Sequence, residues 1–199
     1  RTLQNGRTNF ALAVVGNVPC AYFTTDAGAR VGVGSLAGMA VPIPSNTWTH
    51  LAATWGMTNK SLALYVNGLA YEAQVSLVPP AIGNGVGTTR IGGGIAGYLD
   101  EVRLWNIRQP QDQLAANMLT IIDTPSSQAG LVANYRFDDS GLTIDDFAKK
   151  QTWRHDYALT GVSVTSAPVF FVEGEDDFTR NGAPDWGENL FFARHVSSD

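Results

Sequence analysis

Apolar positions along the first hundred residues recur in short runs or in alternation, and Gly, Asn, Asp or Pro interrupts them every few residues. No stretch there keeps a 3.6-residue period, so the pattern predicts an antiparallel sandwich or barrel rather than a helical fold. Strands are expected at residues 9–15, 21–25, 39–43, 50–55, 61–66, 71–75, 88–91 and 97–105. The strongest local signal is Leu62-Ala-Leu-Tyr-Val-Asn-Gly-Leu-Ala-Tyr. Its Asn67 and Gly68 suit the two left-handed positions of a type I′ turn, whose twist matches the flanking strands. The Gly-rich stretches at 32–38, 83–87 and 92–97 read as loops or bulges. None lies between a strand and a helix opening on Lys-Ser/Thr, so none is a phosphate cradle.

One helix is predicted. Pro110 suits a first helical turn, and residues 111–119 hold good helix formers with Leu114 and Met118 four apart. The helix should be short and cap one end of the sandwich. A polar connector at 123–129 precedes renewed alternation in Leu131-Val-Ala-Asn-Tyr-Arg-Phe and a strand-like stretch at 162–171. Residues 173–199, acidic at first and aromatic later, read as a separate appendage. The expected division is therefore 1–172 and 173–199.

Composition narrows the class. With 44% apolar and 16% charged residues, the chain can bury a core and is not a disordered polymer. No run reaches the roughly 18 apolar residues that a membrane helix needs, so no membrane span is expected in this chain. A net charge of −5, with no Lys/Arg cluster interleaved with aromatics, removes nucleic acid as a partner. Cys20 is the only cysteine, which rules out an intrachain disulfide, and its apolar surroundings predict a small buried hydrophobe. Arg1 stands in what reads as the middle of a domain, so the chain looks processed or excerpted, and a missing leader is uninformative.

Four motifs in order carry a resemblance: Asn46-Thr-Trp-Thr-His-Leu-Ala-Ala-Thr-Trp, then Leu64-Tyr-Val-Asn-Gly, then Thr89-Arg-Ile-Gly-Gly-Gly, then Gly97-Tyr-Leu-Asp-Glu-Val-Arg-Leu-Trp-Asn. Together they resemble the laminin-G-like/pentraxin-like jelly roll, a concanavalin-A-like fold. The helix at 109–118 and Gly130-Leu-Val-Ala-Asn-Tyr-Arg-Phe-Asp-Asp-Ser-Gly look like bacterial members of the group. The resemblance spans about residues 9–171 and implies an all-β, two-sheet antiparallel jelly-roll sandwich with one short capping helix. The family's first strands are missing before Arg1; a neighbouring segment supplies them, or the chain belongs to a longer protein. Residues 131–171 either close this domain or begin a second repeat, and closure is preferred.

The resemblance also bears on single residues. It implies that Asp100 contributes to a structural calcium site or to a turn, with Asp138, Asp139, Asp145 and Asp146 able to converge on the same edge. It gives His50 a structural role and places Trp48 and Trp105 in the core. Function is less constrained, because this fold carries many unrelated activities.

Catalysis finds little support. Relatives of this sandwich that cut glycosidic bonds carry carboxylates alternating on one strand, so that acid and nucleophile stand about 5 Å apart on one face. Asp100 and Glu101 are adjacent, which predicts opposite faces. Glu173, Glu175 and Asp177 sit in a Gly-containing loop, the three histidines lack metal spacing, and no Gly-x-Ser-x-Gly elbow is present. No catalytic residue is therefore assigned.

Calcium has a better motif. Numbered from Asp177, oxygen-bearing side chains fall at positions 1, 3, 5, 9 and 12 (Asp177, Thr179, Asn181, Asp185 and Glu188), with Gly182 at position 6. That is the spacing of a loop that wraps Ca2+, with Glu188 as its bidentate closer. Thr179 and Asn181 replace the usual carboxylates, so weaker binding is expected. Trp153 and Tyr157 are the candidate ligand-stacking aromatics. The leading expectation is an extracellular or cell-surface module that binds glycan or protein with calcium as an aid. Two alternatives stand beside it: a structural subunit that self-assembles by strand addition, and an accessory domain of a larger secreted hydrolase.

Overall fold

Alternating segments become hairpins where the chain offers two adjacent residues that accept positive φ. The protein is described here from a computed structural model, which describes residues 2–3, 5–35, 41–81, 87–92, 98–137, 143–144, 146–148, 157–158 and 190–196. At Asn67 (φ 51°) and Gly68 (φ 75°) the expected type I′ turn joins strands β6 (Ser61–Val66) and β7 (Leu69–Val75). The turn is tied to the neighbouring strand β5 (Thr47–Gly56): the His50 amide donates to Asn67 Oδ1 at 2.9 Å, and the Asn67 amide donates to the His50 carbonyl at 2.8 Å.

A second such turn was not foreseen. Gly16 (φ 56°) and Asn17 (φ 64°) link β2 (Ala11–Val15) to β3 (Val18–Thr24). A two-residue loop makes its flanking pair, Val15 and Val18, a hydrogen-bonded one, so the bonded pairs alternate from there. Pro19 faces Val14 at a non-bonded position, which explains how a proline sits inside a strand.

The described residues form four sheets, two of them substantial. Strands β2, β3 and β4 (Arg30–Gly34) form one; the other is six-stranded, in the order β10-β9-β13-β5-β6-β7, where β9 is Asp100–Trp105, β10 is Leu131–Tyr135 and β13 is Leu190–Val196. Two short pairs complete the described strands: β1 (Thr2–Leu3) with β8 (Gly87–Thr88), and β11 (Thr143–Ile144) with β12 (Tyr157–Ala158). All of these pairings are antiparallel. The all-β two-sheet reading holds.

Strands β5 and β6 of the larger sheet are buried on both faces, and this accounts for their nearly continuous apolar runs. Toward the smaller sheet, Ala53, Trp55, Leu62 and Leu64 meet Ala21, Phe23 and Val33. Phe23 and Trp55 contact edge to face, with centroids 4.9 Å apart, a geometry worth about 0.5–1.5 kcal/mol beyond burial. On the far face, Ala52, Ala63, Tyr65 and Trp105 pack with Leu131 and with Leu114 of the helix α1 (Gln111–Asn117). The helix lies over the β6–β7 turn, where a Cβ on Gly68 would come within 2.7 Å of Ala115 Cα.

Three expectations need correction. β4 falls where a loop was read, because Gly32 and Gly34 mask a strand; a Cβ on Gly34 would meet the Pro19 carbonyl at 2.0 Å, so glycine permits the close approach. Residues 41–43, expected to end a strand, are not strand: Val41 is held instead by hydrogen bonds with the Tyr71 hydroxyl. The segment 173–199, expected to be an appendage, supplies β13 to the middle of the larger sheet, where it pairs with β5 on one side and β9 on the other. Its Leu-Phe-Phe-Ala-Arg-His-Val run is apolar enough for an interior strand. The strand-like stretch at 162–171 lies outside the described residues.

Candidate functional site

Strand β9 begins with a bulge. Phe192 pairs with Arg103 and Arg194 with Asp100, so Glu101 and Val102 together oppose Ala193. Glu101 takes up the extra residue at φ 51°. The bulge removes the strict alternation on which the expectation of opposite faces for Asp100 and Glu101 rested. Glu101 has a specific partner. Its Oε2 accepts from Arg103 Nη2 at 2.7 Å and Nε at 3.2 Å, and both side chains are buried. Arg103 also donates through Nη1 to the Asn117 carbonyl at 3.1 Å and through Nη2 to the Thr120 carbonyl. Arg103 thereby ties β9 to the last carbonyl of α1 and to the segment that follows it, where intrahelical donors run out.

Two large aromatics stand at this end of the sheet. β5 and β9 run in the same direction on either side of β13, and His50 and Asp100 share Arg194 as their register partner. Trp48 lies in β5 just before a register shift against β13, and Tyr98 precedes β9 by two residues. Two strand spacings, about 10 Å, separate β5 from β9. Trp48 is 53% and Tyr98 55% exposed. Placing Trp48 in the core is thus corrected: it precedes the part of β5 that the smaller sheet and α1 cover. Trp105 is in the core as expected, and Trp55, attractive as a sugar platform by residue type, is buried against Phe23. The cavity beside Trp55, bounded also by Asn9, Phe10 and Pro80, is about 30 Å³, room for water but not for a sugar ring.

The other sequence candidates are dispersed. Asp177, Thr179, Asn181, Asp185, Glu188 and Trp153 lie outside the described residues. Tyr157 is in β12, opposite Ile144. Asp100 is half-buried at the start of β9. Asp146 is buried, and its Oδ1 accepts from the Asn134 amide at 2.8 Å and the Ala148 amide at 2.9 Å, fastening the chain to the β10 edge. Among the described residues no three His, Cys, Asp or Glu side chains converge. Nor does any helix among them have the length and apolarity to cross a membrane.

Cys20 is buried as expected. Burial pushes its thiol pKa above the ordinary value, and Arg30 offsets part of that rise. The folded state therefore holds this proton more tightly than the unfolded chain. Stability from Cys20 is complete below the ordinary thiol pKa, near about 8.5, and is lost as pH rises from there toward the higher folded value. A thiol reagent should label the native protein slowly and the unfolded protein at once. Cys20→Ala should flatten the alkaline decline in melting temperature; an unchanged decline would show that other groups cause it.

Residues 3–115, more than half of the chain, match the family model described as the concanavalin A-like lectin/glucanases superfamily. The match runs from β1 into α1 and includes Trp48, Tyr98, Asp100 and the Glu101–Arg103 pair. No curated protein and no solved structure matches the chain. The two-sheet architecture, the ordered motifs and this match agree: the chain belongs to the laminin-G-like family of the concanavalin A-like lectin/glucanases superfamily.

Proposed function

We propose that this domain is an extracellular, non-catalytic adhesion module that recognises a glycan chain through Trp48 and Tyr98. The superfamily supports carbohydrate or protein binding in general. The observation that carries the narrower reading is the pair of aromatics, each more than half exposed, one in β5 and one just before β9, the two strands that flank β13. A flat ring that is more than half exposed offers its face to the C–H surface of a sugar. The strands β5 and β9 stand about 10 Å apart across β13, a spacing that suits an extended chain better than a single ring.

The non-catalytic part rests on Glu101, whose carboxylate is buried and paired with Arg103, where it cannot meet a glycosidic oxygen. Calcium enters through the loop from Asp177 to Glu188, whose ligand spacing suits the ion and whose reduced charge suits the millimolar calcium of extracellular fluids.

A glycan array followed by titration calorimetry tests the proposal. Trp48→Ala and Tyr98→Ala should each weaken binding about tenfold or more. Neither should shift the melting temperature by more than a degree or two, because both sites are exposed. Chelation should lower the melting temperature, and added Ca2+ should restore it. Binding unaffected by either substitution removes the glycan reading; chelator without effect on mass or melting removes calcium.

A further inference from the structure

The two larger sheets have four edge strands, and three carry features that discourage pairing with another chain. β4 has Arg30 and two glycines, β7 has Glu72, and β10 is fastened along its edge by Asp146 and Phe147. The fourth, β2, reads Ala11-Leu-Ala-Val-Val, without charge, proline or bulge. Its turn fixes which groups point outward. Ala11, Ala13 and Val15 spend their backbone bonds on β3, so the N–H and C=O of Leu12 and Val14 face away from the sheet. Among the described residues those four groups have no hydrogen-bond partner. Such a row of donors and acceptors selects one kind of occupant, an extended strand.

We infer that the occupant is β2 of a second copy of this chain, paired antiparallel across a two-fold axis at Ala13. The strand is its own complement. In that register Leu12 exchanges both backbone hydrogen bonds with Val14 of the second copy, and Val14 exchanges both with Leu12, so all four outward groups on each chain are satisfied. Ala13 faces Ala13 at a non-bonded position, where Cα atoms approach to about 4.5 Å and small side chains fit. The two three-stranded sheets become one continuous sheet of order β4-β3-β2-β2-β3-β4. A two-fold contact closes on itself, so the product is a dimer and not a fibre. In an adhesion module this arrangement doubles the sites and adds avidity without new ligand contacts.

Ala13 is the diagnostic position, because across the axis it meets the same residue of the second copy. Sedimentation equilibrium of the full chain should show monomer at high dilution and dimer as concentration rises. Ala13→Lys and Ala13→Glu should each weaken the dimer about tenfold or more, since two like charges are forced together. An equimolar mixture of the two variants should dimerise again. Amide exchange at Leu12 and Val14 should slow with rising concentration in the unmutated protein, a readout that needs no variant to fold. A mass independent of concentration overturns the inference, as does a dimer indifferent to Ala13→Lys or exchange at Leu12 and Val14 already slow in the monomer. These outcomes are independent of whether a glycan binds.

Discussion

Arg103→Ala will destabilise the protein by about 3–5 kcal/mol, the cost of stranding one member of a buried ion pair. Three losses coincide at this residue. The Glu101 carboxylate keeps its burial and loses both guanidinium hydrogen bonds. The Asn117 carbonyl loses one of its donors and the Thr120 carbonyl loses the guanidinium, which loosens the chain where it leaves α1. The left-handed backbone at Glu101 also loses the contact that holds its side chain in place. With a typical domain stability of about 5–15 kcal/mol, the variant should fold only in mild conditions.

The double variant Glu101→Leu/Arg103→Met should be more stable than Arg103→Ala alone, because it leaves no charge buried and replaces the lost volume. Urea midpoints for the unmutated protein and both variants decide this. A loss under about 1 kcal/mol for Arg103→Ala would mean that the pair is as well solvated as a surface salt bridge.

Gly68→Ala will cost about 2–5 kcal/mol, from two sources that a control can separate. A Cβ at φ 75° meets the usual left-handed penalty of about 1–2 kcal/mol. It must also enter space held by Ala115, whose Cα would lie 2.7 Å and Cβ 2.8 Å away. Backbone cannot swing aside as a long side chain can, so either the helix lifts or the turn shifts, at about 1–3 kcal/mol more. Gly16 supplies the control: it has φ 56° in the other two-residue turn, and a Cβ there would meet nothing within 4 Å. Gly16→Ala should therefore show the conformational cost alone. The difference between the two midpoints measures the packing of α1 on the hairpin. Equal losses would show that the helix yields freely.

These residues also show where the chain can be read unaided. Asn67-Gly68 announces its turn because only a few residue types adopt two consecutive positive φ values, and the alternation on either side extends the hairpin residue by residue. Gly16-Asn17 carries the same signal in the reverse order and was legible on the same grounds. Gly32 and Gly34 concealed a strand, since glycine marks both a loop and a close approach of two backbones. Which meaning applies depends on Pro19, a residue on another strand.

The site was less legible than the fold. Trp48 lies in a motif typical of the core, and its exposure follows from how far the smaller sheet and α1 extend along β5. Tyr98 gave no local signal. Its relation to Trp48 comes from β13, which sets β5 and β9 two strand spacings apart and aligns His50 with Asp100 through Arg194.

Local chemistry was enough to specify an all-β chain, its two-residue turns, the short helix and the apolar content of each central strand. Turn conformation and alternation depend on residues only a few positions apart, so they survive without a partner. The neighbours of each strand, the bulge at Glu101 and the union of distant residues at one sheet end were decided by the assembled sandwich. Each depends on which backbone groups remain to be paired once the sheet forms, a choice made between strands far apart in sequence.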